Sequence, residues 1–262
     1  MAFNASYGRT TVPWDKTFQG QWEKLNKALA ARYDGRLAYV KLIGAGHASE
    51  SHLATKPEDQ SAAEALAKAS GYSDLATAWK EGVKWLIDMY ARVWIHTPFV
   101  LGTGPPFRNG GIDALRAMFD YGDATYRGRF GARADDLTSN SPQDGQPSAE
   151  IIKTISQHCR ATGYQFGNHQ NVKDSNPPTR LGQALERGIG FGAHFEELFA
   201  DDADDTVSAP VLSDAMKRLI GTVGRVTPVQ KSDMRDADNA SSAEGYLTVP
   251  TNLQCLAYSA NR

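Results

Sequence analysis

The chain alternates between hydrophobic patterns typical of helices and short runs typical of strands. Over residues 15–33, Phe18, Trp22, Leu25 and Leu29 recur at helical spacing, with Asp15 placed to cap the first turn. Residues 37–46 follow, a run rich in β-forming residues that closes on Gly-Ala-Gly, as a buried parallel strand does when it leaves its sheet. The pattern therefore predicts a helix followed by a strand.

The same succession recurs along the chain, with Ser73 and Ser148 placed to cap two of the later helices. We predict parallel strands near residues 37–44, 94–101, 129–135, 163–168 and 191–198. Alternating helices and short apolar strands indicate parallel strands joined by helical crossovers, in a barrel or a doubly wound sheet. A full barrel needs eight strands. The predicted fold class is therefore α/β with TIM-barrel-like (β/α) units, an incomplete barrel of about five parallel strands.

The last part of the chain differs in character. Residues 225–262 begin with a polar run and then reach a short β-like segment, YLTV. We therefore predict a barrel-like catalytic region over residues 1–224, followed by a polar linker and C-terminal arm over residues 225–262.

Charge and composition narrow the classes of partner. The 262 residues carry 28 basic and 30 acidic side chains, a formal charge of −2. A chain with this balance has no excess positive charge to attract phosphate backbones or anionic lipid. We expect no nucleic-acid partner and no membrane partner. The first residues lack the pattern of a secretory signal, although a secreted or periplasmic location fits if the chain is a fragment of a longer precursor. Two cysteines are too few for a disulfide scaffold.

Candidate site residues follow from the barrel rule that active sites lie at the C-terminal ends of the strands. Side chains alternate along a strand, so Glu196 and Glu197 face opposite sides, and we predict that Glu197 faces inward with Phe195. The rule selects the polar residues that end the predicted strands or follow them: Glu50, Asp135, Asp136, Asn168, His169 and one of Glu196 and Glu197.

Three motifs carry a resemblance to a known family. The runs VPWD, W-x-x-L-x-x-A-L-x-x-R-Y-D-G and LAYVKLIGAGHASE resemble the segment leading into the fourth strand of β-galactosidase-like and cellulase-like (β/α)8-barrel glycoside hydrolases. The likeness covers about residues 12–221, the C-terminal part of such a barrel. It implies that Glu50 is the acid/base glutamate and that Glu197, in GIGFGAHFEELF, is the second carboxylate. By this count Glu197 ends the eighth strand, whereas the family's nucleophile ends the seventh, where Asn168 and His169 stand.

The resemblance predicts a glycoside hydrolase that acts on an oligo- or polysaccharide, with one carboxylic acid protonating the leaving oxygen and a second carboxylate at the anomeric carbon. The alternatives are a non-catalytic carbohydrate-binding or truncated barrel remnant, and a doubly wound enzyme of unrelated chemistry. We expect no cofactor. We also expect no metal, because His47, Glu50 and His52 lack the spacing of a helical zinc motif. An open barrel side predicts possible self-association. The expected substrate-binding residues are His47, His52, Asp135, Asn168, His169 and Tyr164.

Overall fold

The structure is a computed structural model that describes residues 1–6, 8–47, 51–159, 161–167, 177–199, 209–223 and 246–247. Its strands are β1 (Ala2–Ala5), β2 (Gly8–Thr11), β3 (Val40–Lys41), β4 (Phe99–Gly102), β5 (Phe130–Leu137), β6 (Thr162–Phe166), β7 (Phe195–Phe199) and β8 (Tyr246–Leu247). Its helices are α1 (Lys16–Tyr33), α2 (Pro57–Ala69), α3 (Leu75–Val93), α4 (Gly111–Tyr126), α5 (Pro147–Ile155), α6 (Pro177–Gly190) and α7 (Ala209–Val223).

The main sheet has the strand order β3-β4-β5-β6-β7-β8 among the described residues. Each pair from β3 to β7 is parallel, so the predicted parallel arrangement of the five strands is confirmed. The five strands form a curled half-barrel flanked by helices, which is the incomplete TIM-barrel-like fold expected from the sequence. The last strand, β8, pairs antiparallel with β7.

The capping residues at the helix N-termini can be compared with those predicted from the sequence. The Asp15 side chain accepts hydrogen bonds from the backbone N–H groups of Thr17 at 2.7 Å and Phe18 at 3.0 Å, so the predicted cap of α1 is confirmed. The prediction of Ser73 as a cap was wrong. Asp74 caps α3 instead, because its carboxylate accepts the Thr77 N–H while the Ser73 hydroxyl donates to Asp74.

Ser148 does not cap α5 either. The helix begins at Pro147, so Ser148 lies inside its first turn, and its hydroxyl donates to Asp136 at 2.9 Å on the neighbouring strand β5. Proline is favoured at the first position of a helix because its missing N–H would have no helical partner there.

The helix-facing side of the sheet is a packed apolar layer. Phe99, Leu101, Phe130 and Ala132 are all fully buried on this side, and the rings of Phe99 and Phe130 meet edge-on at 5.7 Å. Gly122 of α4 allows this packing, since a Cβ there would lie 2.4 Å from the Phe130 ring. Within the described part of the chain, no helix combines the length and apolarity that a bilayer crossing requires.

A hairpin and a helix near the start of the chain were not predicted. The hairpin of β1 and β2 pairs Ala2 with Thr11 through Ala5 with Gly8, and neither strand carries the alternation of apolar and polar residues that would have indicated it. Helix α2 buries Ala63 and Ala67, small side chains that leave almost no hydrophobic periodicity. Both elements lie before β4, outside the repeated pattern on which the prediction depended.

Candidate functional site

The inner face of the half-barrel carries a group of charged side chains at successive strands. Register places Arg133 of β5 beside Gly163 of β6, and Gln165 of β6 beside Glu197 of β7. Because side chains two residues apart share a face, Arg133, Gln165 and Glu197 lie on the same side of the sheet. We call the contacting set Tyr39, Lys41, Arg133, Asp135 and Glu197 the inner cluster.

Arg133 is the centre of the inner cluster. Its Nε donates to Oε1 of Glu197 at 2.8 Å, and its Nη2 donates to Oε2 at 2.6 Å, a two-point ion pair. Its Nη1 donates to Oδ1 of Asp135. The Arg133 side chain is only 2% exposed. A buried guanidinium is tolerated here because two carboxylates surround it, and the same contacts fix the orientation of both acids.

Tyr39 links the two ends of the parallel sheet. It lies just before β3, yet its hydroxyl donates to Oε1 of Glu197 on β7, and its ring stacks on Phe195 with the ring centroids 4.3 Å apart. Since β3 and β7 are separated by three strands in the sheet order, this contact requires the sheet to curl until its ends meet across the interior. The curl therefore assembles the cluster.

Lys41 and Asp135 form the more accessible part of the inner cluster. The Lys41 Nζ lies 3.7 Å from Oδ1 of Asp135, and the two side chains are 15% and 24% exposed. Burial lowers the pKa of Lys41 to about 7, the positive charge of Arg133 lowers it as well, and Glu197 opposes the change. At neutral pH this amine exists in both protonation states, as a general acid or base requires.

The opposite side of the same strands holds a second set of acids. Glu196 is paired in register with Tyr164 and points toward α6, where a Cβ on Gly188 would lie 2.1 Å from Oε1 of Glu196. Within the described residues, neither carboxyl oxygen of Glu196 has a hydrogen-bond partner. Burial raises the pKa of Glu196 well above its usual value, because the charged form loses its solvation there.

Asp136 and Tyr164 accompany Glu196 on that side. Burial raises the pKa of Asp136, against the effect of the hydrogen bond from Ser148. Burial also raises the pKa of Tyr164, and the nearby Asp136 and Glu196 add to the shift. The two faces of β5, β6 and β7 thus differ in kind, with paired charges inside and buried acids facing the helices.

The structure brings two of the predicted site residues together and places the other described ones elsewhere. Asp135 and Glu197 belong to the inner cluster, while the fully buried Tyr164 lies on the helix-facing side and does not approach them. His47 and His52 lie in the loop after β3, where the His47 N–H donates to the His52 carbonyl at 2.6 Å. The Nδ1 atom of His52 lies 2.8 Å from the Pro105 carbonyl oxygen. Three predicted residues lie outside the described part of the chain: Glu50, Asn168 and His169.

Sequence reasoning missed Tyr39, Lys41 and Arg133. A signal for Arg133 was present, because RFGARADDL places a basic residue in the middle of an apolar strand, where a charge needs an acidic partner. Lys41 occupies the same kind of position in LAYVKLIG. The identity of their partners required the tertiary structure.

Comparisons with known proteins do not identify a function for the site. No family model, no curated protein and no solved structure matches the chain. In the described ranges, no three His, Cys, Asp or Glu side chains are grouped in a way that could hold a metal ion.

Proposed function

We propose that the protein is a glycoside hydrolase acting on an oligo- or polysaccharide by a two-carboxylate mechanism. Glu197 is the carboxylate that attacks or stabilises the anomeric carbon, and Glu50 protonates the leaving oxygen. The observation that carries the proposal is the position of Glu197, on the inner face of the last parallel strand and held by Arg133 at 2.8 and 2.6 Å. Barrel enzymes place their active sites where the strands end.

The contacts of Glu197 suit the proposed role. The two-point ion pair with Arg133 places a positive charge beside the carboxylate and sets its orientation before substrate binds. A positive charge that develops on the sugar ring then meets a fixed negative group, with little reorganisation of the site. Both functions depend on Arg133 remaining in place, and Asp135 helps to hold it there.

The remaining members of the inner cluster supply groups that a sugar uses. Asp135 can accept hydrogen bonds from sugar hydroxyls, and Lys41 can donate one, since both side chains are partly exposed. Tyr39 and Phe195 form a stacked aromatic pair next to Glu197, and aromatic faces pack against the apolar faces of sugar rings.

A second function is favoured by a separate observation. Both oxygens of Glu197 already accept hydrogen bonds from the chain's own Arg133, and Oε1 also accepts one from Tyr39. A carboxylate so engaged serves well as a structural anchor. The corresponding proposal is a non-catalytic carbohydrate-binding protein or a truncated barrel remnant, which would bind sugars without turnover.

The test is hydrolysis of aryl glycosides with good and poor leaving groups by the chain and three variants. Glu197→Gln should slow both kinds of substrate alike, because the charge at the anomeric carbon must be met whatever group departs. Glu50→Gln should slow substrates with poor leaving groups by about 10²- to 10⁴-fold and spare activated ones. Glu196→Gln is the matched control, since that side chain faces the helices, and it should retain parental rates.

One result would contradict the assignment of Glu197, and another would contradict the hydrolase proposal itself. Parental rates in Glu197→Gln, with rates abolished by Asn168 or His169 substitutions, would give the role assigned to Glu197 to the end of the preceding strand. Absence of turnover on every glycoside, together with saturable sugar binding that Glu197→Gln weakens, would favour the binding protein.

A further inference from the structure

The position of Lys41 differs from that of an ordinary surface lysine. Its side chain is 15% exposed, and its Nζ lies 3.7 Å from a carboxylate oxygen of Asp135. Arg133 and Glu197, 2% and 9% exposed, lie deeper in the same cluster. The amine is therefore reachable from solvent, while the charges that govern its protonation are fixed beneath it.

These surroundings favour the neutral amine. Burial and the nearby guanidinium of Arg133 both disfavour the ammonium form, and Glu197 only partly offsets them, which brings the pKa of Lys41 to about 7. At pH 7 roughly half of such a lysine is neutral, compared with about 0.04% of a lysine with a pKa near 10.4. A neutral amine is the form that attacks a carbonyl carbon, and a neighbouring cationic group is a known means of producing it.

We propose that Lys41 is a carbonyl-reactive amine that forms a Schiff base with a small aldehyde or ketone at the C-terminal end of the half-barrel, with Asp135 as the proton carrier. The Nζ lone pair forms the C–N bond as the carbonyl π electrons move to oxygen. Asp135 accepts one proton from the nitrogen and passes it to this oxygen, which becomes a hydroxyl, and then carries the second nitrogen proton to the departing hydroxyl. Water leaves as the neutral C=N bond forms, so no net proton, oxidant or reductant is required.

The charges of the cluster select the class of carbonyl compound. With Lys41 neutral, the described cluster contains one guanidinium and two carboxylates, a net negative charge. Anionic compounds such as keto acids and sugar phosphates are repelled, while an uncharged hydroxyaldehyde can hydrogen-bond to Asp135. We therefore assign an uncharged hydroxyaldehyde or hydroxyketone as the ligand class. This activity does not depend on the glycosidase proposal, because Glu197 is not the reacting group.

The experiment is reductive trapping on the folded full chain. Glycolaldehyde and cyanoborohydride are added at pH 7, and modification of each lysine is followed by peptide mass spectrometry. Lys41 should be modified at least about tenfold faster than Lys27, which is 64% exposed. The rate at Lys41 should rise with pH around a midpoint near 7, and glyoxylate, an anionic aldehyde of the same chain length, should react more slowly.

Variants and a denatured control separate the site from general lysine chemistry. Lys41→Arg keeps the positive charge and should abolish the fast component. Asp135→Asn should slow trapping at Lys41 by about tenfold or more even above pH 8, whereas the matched Asp120→Asn change on α4 should leave it unchanged. In denaturant the advantage of Lys41 over Lys27 should disappear. Equal rates at Lys41 and Lys27 in the folded chain would overturn the proposal, whether or not glycosides are hydrolysed.

Discussion

Glu196 and Glu197 are identical side chains on adjacent residues of β7, and the structure places them in opposite situations. Glu197 lies on the inner face, where Arg133 and Tyr39 donate to its oxygens. Glu196 lies against α6, and neither of its oxygens has a hydrogen-bond partner in the described part of the chain. The first is an ion-paired carboxylate, and the second is a buried acid whose pKa is raised well above its usual value.

The comparison shows that burial by itself does not decide the state of an acid. Both glutamates are less than 10% exposed, and burial raises the pKa of Glu196 well above the usual 4.5. Desolvation disfavours the charged form in both places, but a bidentate guanidinium offsets it in only one. The inner face can therefore perform ionic chemistry, whereas the helix-facing acids carry a cost to stability.

The largest expected effect is that of Arg133→Met. The change leaves Glu197 and Asp135 without the cation that both contact, and we expect it to lower the free energy of unfolding by about 3–5 kcal/mol. Chemical denaturation at pH 7 measures the loss. Arg116→Met is the control, because Arg116 and Glu150 form an exposed pair worth about 0–1 kcal/mol. Equal losses in the two variants would show that the inner cluster is no stronger than a surface ion pair.

Tyr39→Phe tests the contact that joins β3 to β7. It removes one hydrogen bond to a charged carboxylate but keeps the ring on Phe195, so we expect a loss of about 1.5–3 kcal/mol in the free energy of unfolding. The loss should be measured by denaturation beside Tyr72→Phe, whose ring packs edge-on against Trp14 and which should change stability by less than about 0.5 kcal/mol. Parental stability in Tyr39→Phe would show that the hydrogen bond from Tyr39 to Glu197 does not stabilise the curled sheet.

The same substitution at the two neighbouring glutamates should have opposite signs. Glu196→Met removes a buried polar group that has no partner among the described residues, and we expect the free energy of unfolding at pH 7 to rise by about 1–3 kcal/mol. Glu197→Met leaves Arg133 with only one of its two acids and should lower it. A loss of stability in both variants would mean that Glu196 has a favourable contact at this position.

The pH dependence of Glu196 gives a second measurement of the same difference. Its folded pKa lies above the usual 4.5, so between these values the native state binds more protons than the unfolded state. This group therefore makes stability fall as pH rises above about 4.5, by at most about 1.4 kcal/mol per pH unit. The decline should be absent in Glu196→Met, measured as unfolding curves from pH 4 to pH 8. If the stability of Glu196→Met fell with rising pH as much as that of the parent, a group other than Glu196 would be responsible for the decline.

The smallest expected effect is that of Ser148→Ala. It removes the hydroxyl that donates to Asp136 at 2.9 Å on the helix-facing side, and we expect a loss of about 0.5–1.5 kcal/mol. Thermal unfolding of this variant should be compared with that of Ser61→Ala, in which an exposed helical serine is replaced by a better helix former and stability should not fall. A fall of similar size in both variants would contradict a specific role for the Ser148 bond.

The fold was largely predictable from local pattern. The alternation of helices and apolar strands predicted five parallel strands, and register confirms them. The prediction was weaker where local pattern and packing disagree. Leu25 and Leu29 were assigned with Phe18 and Trp22 to one helical face, but they are 46% and 40% exposed.

The buried face of α1 contains polar residues instead. Asn26 is buried because its Oδ1 accepts the Trp94 indole N–H at 3.0 Å, and Gln19 donates to the Pro13 carbonyl at 2.8 Å. Hydrophobic periodicity cannot indicate a face whose polar residues are satisfied by distant partners.

Part of the site could also be predicted from local sequence pattern. The rule that barrel residues at strand ends are functional found Asp135 and Glu197, and strand alternation placed Glu196 and Glu197 on opposite sides. Both inferences use only the period of a strand and its end, which the sequence itself carries.

Tertiary structure alone decided the partners. Tyr39 and Glu197 are 158 residues apart, and Arg133 and Glu197 are 64 apart. The first contact exists because the sheet curls, and the second exists because β5 and β7 lie on either side of β6. The sequence by itself determined the order of the elements, the direction of the strands and the side each residue faces, since these follow from local backbone geometry. Which charges meet, and hence which groups are ionised, depends on distances across the interior, and those are set by how all five strands pack together.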